Sequence, residues 1–174
     1  MRRILDFIYN LSGAIAAALI ASICLLVTAQ VILNLTTKLL GTSASYSIPS
    51  YADFAGFFLA ASSFLALAYT FTQGGHIRVT LFLGRVSTTP RWIAEIVSIS
   101  IATVVTLFIF WHMTKLAHES YIYGDVSPGM VVIHLWIPQG VVCIGILILT
   151  IALIDTLIQT IQAKKPVIKQ KETI

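Results

Sequence analysis

The stretch from Ser50 to Leu83 decides the fold; it reads SYADFAGFFLAASSFLALAYTFTQGGHIRVTLFL. No charged residue occurs between Phe54 and Gly75, and an α-helix of that length crosses a hydrocarbon core of about 30 Å. Asp53 falls in the first turn, where the positive end of the helix dipole favours a carboxylate, and Ser50 is predicted to cap that turn. The stretch therefore predicts a membrane-spanning helix, with its apolar span at residues 54–71.

The end of the stretch predicts a segment lying along a membrane face. Gly74 and Gly75 supply the backbone freedom for a sharp exit from the helix. Basic residues then alternate with aliphatic ones, which is typical of a segment whose cations sit among lipid headgroups. This prediction applies to the basic residues of the loop: His76, Arg78, Arg85 and Arg91.

The composition of the whole chain is that of an integral membrane protein. Of its 174 residues 57% are hydrophobic and 10% are charged, and the mean hydropathy is +0.92, values outside the range of soluble domains. The net charge of +4 does not indicate nucleic-acid binding, because no basic and aromatic stripe stands apart from the membrane edges. Cys24 and Cys143 both lie inside apolar runs, which favours small packing residues over a disulfide.

Four apolar runs predict four transmembrane helices, at residues 11–35, 54–71, 92–113 and 131–154. The first run is uncharged from Phe7 to Thr37, far beyond the apolar core of about 7–15 residues in a cleavable signal peptide. All lysines and arginines except Lys38 and Lys115 fall on one side of this topology. The positive-inside rule then places both termini and the middle loop in the cytoplasm.

The predicted organisation is one membrane domain, residues 1–162, followed by a basic cytoplasmic tail, residues 163–174. Small residues recur every four positions in the first two spans, a spacing that lets helix backbones approach closely. Two interpretations stay open for them: packing within a four-helix bundle, or a seam for a second membrane protein. The residues concerned are Ala14, Ala18, Ser22, Ala52, Gly56 and Ala60. In the fourth span Pro138, followed by Gly140, predicts a kink.

The centres of the four predicted spans contain no Asp, Glu, Lys, Arg or His. Ionisable groups in that position are costly and mark ion or substrate pathways, so we expect no pathway within this chain. A polar cluster follows the third span instead, and it is interpreted either as a solvated loop or as a docking site for an external protein. Its members are Lys115, His118, Glu119 and Asp125. His112 and His134 are predicted at similar outer depths, the minimum requirement for two axial haem ligands.

Three short motifs carry a resemblance to a known family. The second span opens with Tyr51-Ala52-Asp53, its exit contains the Gly75-His76-Ile77 sequence followed by Val79, and the fourth span holds Pro138 and Gly140. In these motifs and in its four-span topology, the chain resembles the small membrane subunit of TRAP transporters, the tripartite ATP-independent periplasmic family, that is, the DctQ-like subunits. The resemblance covers about residues 11–162. The chain departs from the family pattern by having a single carboxylate, Asp53, at the start of the second span and Thr80 where an Asp is common.

The resemblance implies a non-enzymatic scaffold and docking subunit of a sodium-driven importer of organic acids such as C4-dicarboxylates or sialic acid. Its implied partners are a large membrane subunit, a periplasmic substrate-binding protein and membrane lipids, with no nucleic acid and no cofactor. The implied location is the bacterial inner membrane. His76, Arg78, Arg85 and Arg91 then become candidates for contact with the large subunit.

Two other classes of protein remain as alternatives. The first is a membrane anchor of a redox enzyme that holds haem between His112 and His134. The second is a small homodimeric exporter, although such a pump needs a carboxylate embedded in the membrane, and the first span has none beyond Asp6.

Overall fold

The computed structural model describes residues 2–40, 47–73 and 88–163, with the side chains of residues 2, 40 and 88–91 left out. It contains α1 (Arg2–Leu40), α2 (Tyr51–Thr72), α3 (Thr88–Tyr123) and α4 (Trp136–Ala163). Each of the four is long and apolar enough to cross a membrane. The prediction of an all-helical chain with four transmembrane helices is therefore confirmed, while the side on which the termini lie stays a prediction.

All four helices extend beyond their predicted spans, although α2 does so by only a few residues. A helix satisfies its own backbone hydrogen bonds and need not stop where the apolar run stops. With 39 residues, α1 is about 58 Å long, compared with about 30 Å for a hydrocarbon core. The third helix continues past Met113 to Tyr123. The fourth continues past Ile154 to Ala163.

The fourth helix begins later than predicted, at Trp136 instead of Val131. The preceding residues form a short antiparallel turn in which Val126 bridges to His134. Pro138 therefore lies in the first helical turn, where a missing N–H group costs nothing. This position removes the physical basis for the predicted kink at Pro138 and Gly140.

The helices form an open row in the order α1, α2, α4, α3. Extended contacts join α1 to α2, α2 to α4 and α4 to α3, while α1 touches α4 only slightly. The most apolar window of α4 is 33% buried and that of α1 is 11% buried, as expected for an inner and an edge helix. The predicted interpretation as a four-helix bundle is corrected here, since the described helices do not close around a common axis.

Close helix approach in the row depends on small residues that the sequence analysis did not single out. A Cβ atom built on Gly145 of α4 would lie 2.8 Å from the backbone carbonyl carbon of Phe64 in α2. On α1, Gly13 faces the ring of Tyr69 at 2.7 Å by the same measure. Larger side chains at either glycine would push the neighbouring helices apart.

Most members of the predicted small-residue seam lie on helix sides that face away from the other described helices. Ala14, Ala18, Ala52 and Gly56 are exposed, and a Cβ on Gly56 would meet nothing within 4 Å. For these positions the interpretation as packing within the chain is therefore wrong. Their use by a second membrane protein stays a prediction.

Aromatic side chains fix the pairing of α3 with α4 at both ends. At one end the rings of Tyr121 and Trp136 meet edge to face, with centroids 5.7 Å apart and planes at 87°. At the other end Trp92 Nε1 donates to the carbonyl oxygen of Thr160 at 2.8 Å. Both contacts lie near the helix ends, where tryptophan is common in membrane proteins.

Candidate functional site: the outer end of the helix row

The interior of the row offers no polar route across the described helices. The hydroxyl groups that lie near the span centres are used by the backbone of their own helices. Ser22 donates to Ala18 O at 2.9 Å, Ser63 to Leu59 O at 2.7 Å and Thr103 to Ile99 O at 2.8 Å. Such bonds to the preceding turn satisfy a hydroxyl without any ligand.

The central cysteines are also explained without a ligand. Both are free thiols, with Cys24 exposed and Cys143 half-buried. Cys143 lies next to Thr114 across the contact between α3 and α4. The middle of the described helices therefore contains no polar group that could hold a substrate.

Polar contacts concentrate in the turn between α3 and α4, residues 124–135, which we call the outer hairpin after the side on which the predicted topology places it. The hairpin begins at Gly124, whose φ of 68° is the left-handed conformation that commonly ends a helix. Asp125 N then donates to Ser120 O at 3.0 Å. Two further backbone bonds, from Ser127 N to Ile133 O at 2.8 Å and from Leu135 N to Asp125 O at 3.0 Å, close the turn.

Ser50 attaches this hairpin to the start of α2. Val131 N donates to Ser50 Oγ at 2.9 Å. Ser50 occupies the N-cap position with a φ of 54°, but its side chain makes no capping hydrogen bond. The predicted capping role of Ser50 is corrected by the structure, because the hydroxyl is used to hold the outer hairpin.

Asp53 lies in the first turn of α2, as predicted, and it contacts the hairpin at Gly129. A Cβ atom built on Gly129 would overlap the Asp53 carboxylate and would lie 2.5 Å from Ser50 Oγ. A side chain at this position would force the Asp53 carboxylate and the Ser50 hydroxyl to move away from the hairpin. Asp53 therefore complements the helix dipole and also contacts the hairpin at Gly129.

Gln30 makes a second polar connection at the same level, which the sequence analysis missed. It is buried, its Oε1 accepts from Ile48 N at 2.7 Å, and its Nε2 donates to Asn34 Oδ1 at 2.9 Å. An amide inside a long apolar run was the available signal for this contact. Gln30 thus ties α1 to the segment that leads into α2.

Three of the predicted docking residues lie on the outer part of α3, and the fourth, Asp125, directly follows Gly124. Lys115, His118, Glu119 and Asp125 are all exposed. The ammonium of Lys115 lies 5.2 Å from the centre of the Trp111 ring, a cation–π contact. Among the described residues Lys115 shows no ion pair with Glu119, so the carboxylate of Glu119 stays available at the surface.

Large apolar side chains accompany these charges at the outer end. Met130 is 85% exposed and Tyr123 is 77% exposed, while Val132 also projects from the hairpin. Exposed aromatic and aliphatic groups next to isolated charges are the usual composition of a protein contact surface. Lys115, His118, Glu119, Asp125 and these apolar groups together define what we call the outer surface.

The predicted contact residues of the middle loop have no side chain in the described part of the chain. His76, Arg78 and Arg85 lie outside the described residues, as do Gly75, Ile77, Val79 and Thr80 of the family motif and the lysines of the tail. Arg91 belongs to α3, but its side chain is not described.

The two histidines considered as haem ligands lie at different heights along the helix axes. His134 lies just before Trp136, whose ring meets Tyr121 of α3. His112 precedes Tyr121 by about 13 Å along the helix axis, and its ring instead packs on Phe108 with centroids 4.3 Å apart. The premise of the haem alternative is therefore wrong.

A comparison with protein families identifies the chain. The model of the family described as "Tripartite ATP-independent periplasmic transporters, DctQ component" matches residues 23–163. The chain belongs to the DctQ family. No curated protein and no solved structure matches it.

The family match confirms the resemblance that the sequence motifs carry. This DctQ chain is a small membrane subunit of a TRAP transporter, and its family is one of transporter components and not of enzymes. The match begins within α1 and ends with α4, so it includes the outer hairpin and all of α2.

Proposed function

We propose that this DctQ chain is the scaffold and docking subunit of a sodium-coupled TRAP importer of organic acids, such as sialic acid or C4-dicarboxylates, in a bacterial inner membrane. In this proposal a large membrane subunit carries substrate and sodium, and a periplasmic binding protein delivers the substrate. The observation that carries the scaffold role is the lack of a polar pathway in the described helices, whose central hydroxyl groups bond to their own backbone.

The open row supports assembly with a larger membrane protein. Both edge helices, α1 and α3, have a long side without a neighbour from the described part of the chain. Apolar side chains on those sides are compatible with lipid and with transmembrane helices alike. An open row of this kind suits a subunit that lies against one flank of a carrier.

The outer surface supports a second contact, with the binding protein. Its charged groups, among them Glu119 and Asp125, occur together with exposed aromatic and aliphatic side chains. In such an arrangement apolar groups supply contact area and rim charges supply orientation. The contacts of Ser50 and Asp53 with the hairpin attach this surface to the start of α2.

Uptake in cells that lack the three transporter genes tests the proposal. We expect sodium-dependent uptake of an organic acid when the binding protein, the large subunit and this chain are all restored, and loss of uptake when any one is omitted. The large subunit should co-purify with this chain in detergent. Full uptake without this chain, or failure to co-purify, would contradict the scaffold role.

A further inference from the structure

The exposed side of α1 carries an uninterrupted heptad repeat. Exposed residues recur at alternating steps of three and four, which is the a and d spacing of a coiled-coil seam. Apart from Thr28 all of them are apolar. The members of this α1 seam are Ile4, Phe7, Leu11, Ala14, Ala18, Ala21, Leu25, Thr28, Ile32, Leu35 and Leu39.

The α1 seam lies opposite the contact with α2. That contact uses the buried residues Tyr9, Ser12 and Ala16 together with Gly13. These positions alternate with seam members along the helix and fall on its other side, given 3.6 residues per turn. No element in the described part of the chain covers the seam.

Lipid tails alone do not account for the length of the α1 seam. From Ile4 to Leu39 it measures about 52 Å, against about 30 Å for a hydrocarbon core. Gln30 is level with Ile48, just before α2 begins, so Ile32, Leu35 and Leu39 lie beyond the outer end of α2. These aliphatic side chains are exposed, and a seam longer than the hydrocarbon core places part of its apolar surface outside that core, where such surface is normally covered.

We propose that the α1 seam binds one long transmembrane helix of the large membrane subunit, by knobs-into-holes packing along its whole length. The proposal rests on the proposed function, which supplies a large subunit in the same membrane. The occupant is a helix because the repeat is the one that helices match, and it must cross the bilayer and continue outward because the seam does both. Ala14, Ala18 and Ala21 let the two backbones approach closely in the inner half.

A second copy of this chain fits the α1 seam less well than a different helix. Two copies inserted with the same topology would run parallel, with alanine facing alanine in the inner half and Leu35 and Leu39 facing themselves in the outer half. Their axes would have to diverge, since interaxial distance follows side-chain size. A partner helix with larger residues opposite the alanines and smaller ones opposite Leu35 and Leu39 keeps an even distance.

Photo-crosslinking in the assembled transporter tests the proposal. A benzophenone amino acid replaces Leu25 or Leu35 in the seam, and in a matched control it replaces Ile20, which is off the seam. The exposed fractions are similar, 53% for Leu35 and 50% for Ile20. After illumination we expect an adduct with the large subunit from both seam positions and none from Ile20.

Each other outcome of the crosslinking contradicts the proposal. Adducts between two copies of this chain would make the seam a homodimer contact, and adducts with lipid alone would make it an ordinary lipid-facing side. Equal adducts from Ile20 would remove the assignment to one side of α1. If the large subunit co-purifies but does not crosslink at the seam, the seam proposal fails while the proposed function stands; if it does not co-purify, both fail.

A change in side-chain volume gives an independent readout. Ala18→Phe keeps the helix surface apolar, so membrane insertion should be unchanged, but it fills the space that the partner helix needs. We expect about a tenfold loss of co-purified large subunit, the scale of overpacking a contact. Ile20→Phe serves as the control and should leave co-purification unchanged. Equal recovery of the large subunit with both variants would overturn the proposal.

Discussion

Gly129 shows how a single residue holds the outer end of this protein together. Any side chain at this position would displace the carboxylate of Asp53 and crowd the hydroxyl of Ser50. That hydroxyl accepts the hydrogen bond from Val131 N, so one intrusion disturbs two contacts between the hairpin and α2. The contacts of the outer hairpin with Ser50 and Asp53 therefore depend on the absence of a side chain at residue 129.

We expect Gly129→Ala to destabilise the folded chain by about 1–3 kcal/mol, the usual cost of overpacking. Limited proteolysis of the hairpin and thermal unfolding in detergent measure the effect. Gly56→Ala is the control, because a Cβ there meets nothing within 4 Å and alanine favours a helix by roughly 0.5–1 kcal/mol. Equal protease sensitivity of the two variants would show that Asp53 and the hairpin are not coupled.

The contact between α2 and α4 depends on Gly145 at the scale of whole helices. A Cβ on Gly145 would lie 2.8 Å from the Phe64 carbonyl carbon, which belongs to the backbone and cannot rotate away. The two helices must then separate along part of their length. Because α2 and α4 form the middle of the row, this change loosens both halves of the molecule.

Gly145→Ala should lower the unfolding temperature in detergent, with a loss of about 1–3 kcal/mol. Gly140→Ala provides a control on the same helix, since a Cβ at Gly140 meets nothing within 4 Å. We expect the Gly140 variant to be neutral or slightly stabilised. If both variants unfold at the temperature of the unchanged chain, α2 and α4 are not in direct backbone contact.

The number and type of the helices could be predicted from the sequence, but their ends and neighbours could not. Long uncharged runs dictate helices in a membrane, so the four spans follow from hydropathy alone. Hydropathy does not mark where a helix ends outside the membrane, which is why α3 reaches Tyr123. Nor does it mark helix order, because apolar residues face lipid and protein alike.

Small residues on α1 also show that a sequence pattern does not identify which side of a helix packs against a neighbour. Two sets of small side chains run along α1, one containing Ala14 and Ala18 and the other containing Ser12 and Ala16. Both have spacings that permit close helix packing, and only the contact partners distinguish them. The structure assigns the second set to α2, and the first stays exposed.

For the candidate site, the sequence predicted the exposed polar residues but not the base that holds them. Lys115, Glu119 and Asp125 stand out as charges after an apolar run. Gly129 and Ser50 become meaningful only when the hairpin returns to the start of α2, a contact between residues far apart in the chain. A contact of that range leaves no local pattern in the sequence.

At the scale of the whole transporter, the outer surface should affect delivery by the binding protein. Reversing Lys115 to Glu and, separately, Glu119 to Lys should each change the rate of binding-protein-dependent uptake. The effect should be larger at low salt, because rim charges are screened over about 8 Å at physiological ionic strength. Uptake rates in proteoliposomes across a salt series measure this.

Co-purification of the large subunit is the control for intact assembly of the transporter. It should be unaffected by either charge reversal. The Lys115 variant also loses the contact with the Trp111 ring, so the Glu119 variant is the cleaner test of charge. Uptake that is indifferent to both reversals at every salt concentration would assign these charges to ordinary solvation.

Transport by the isolated chain tests the scaffold role most directly. The purified chain is reconstituted alone into liposomes with an inward sodium gradient, and radiolabelled organic acids and the binding protein are added outside. We predict no uptake above that of empty liposomes, and sodium-dependent uptake once the large subunit is reconstituted with it. Saturable, sodium-dependent uptake by this chain alone would contradict the account, because it would require a pathway through helices whose central hydroxyl groups are bound to their own backbone.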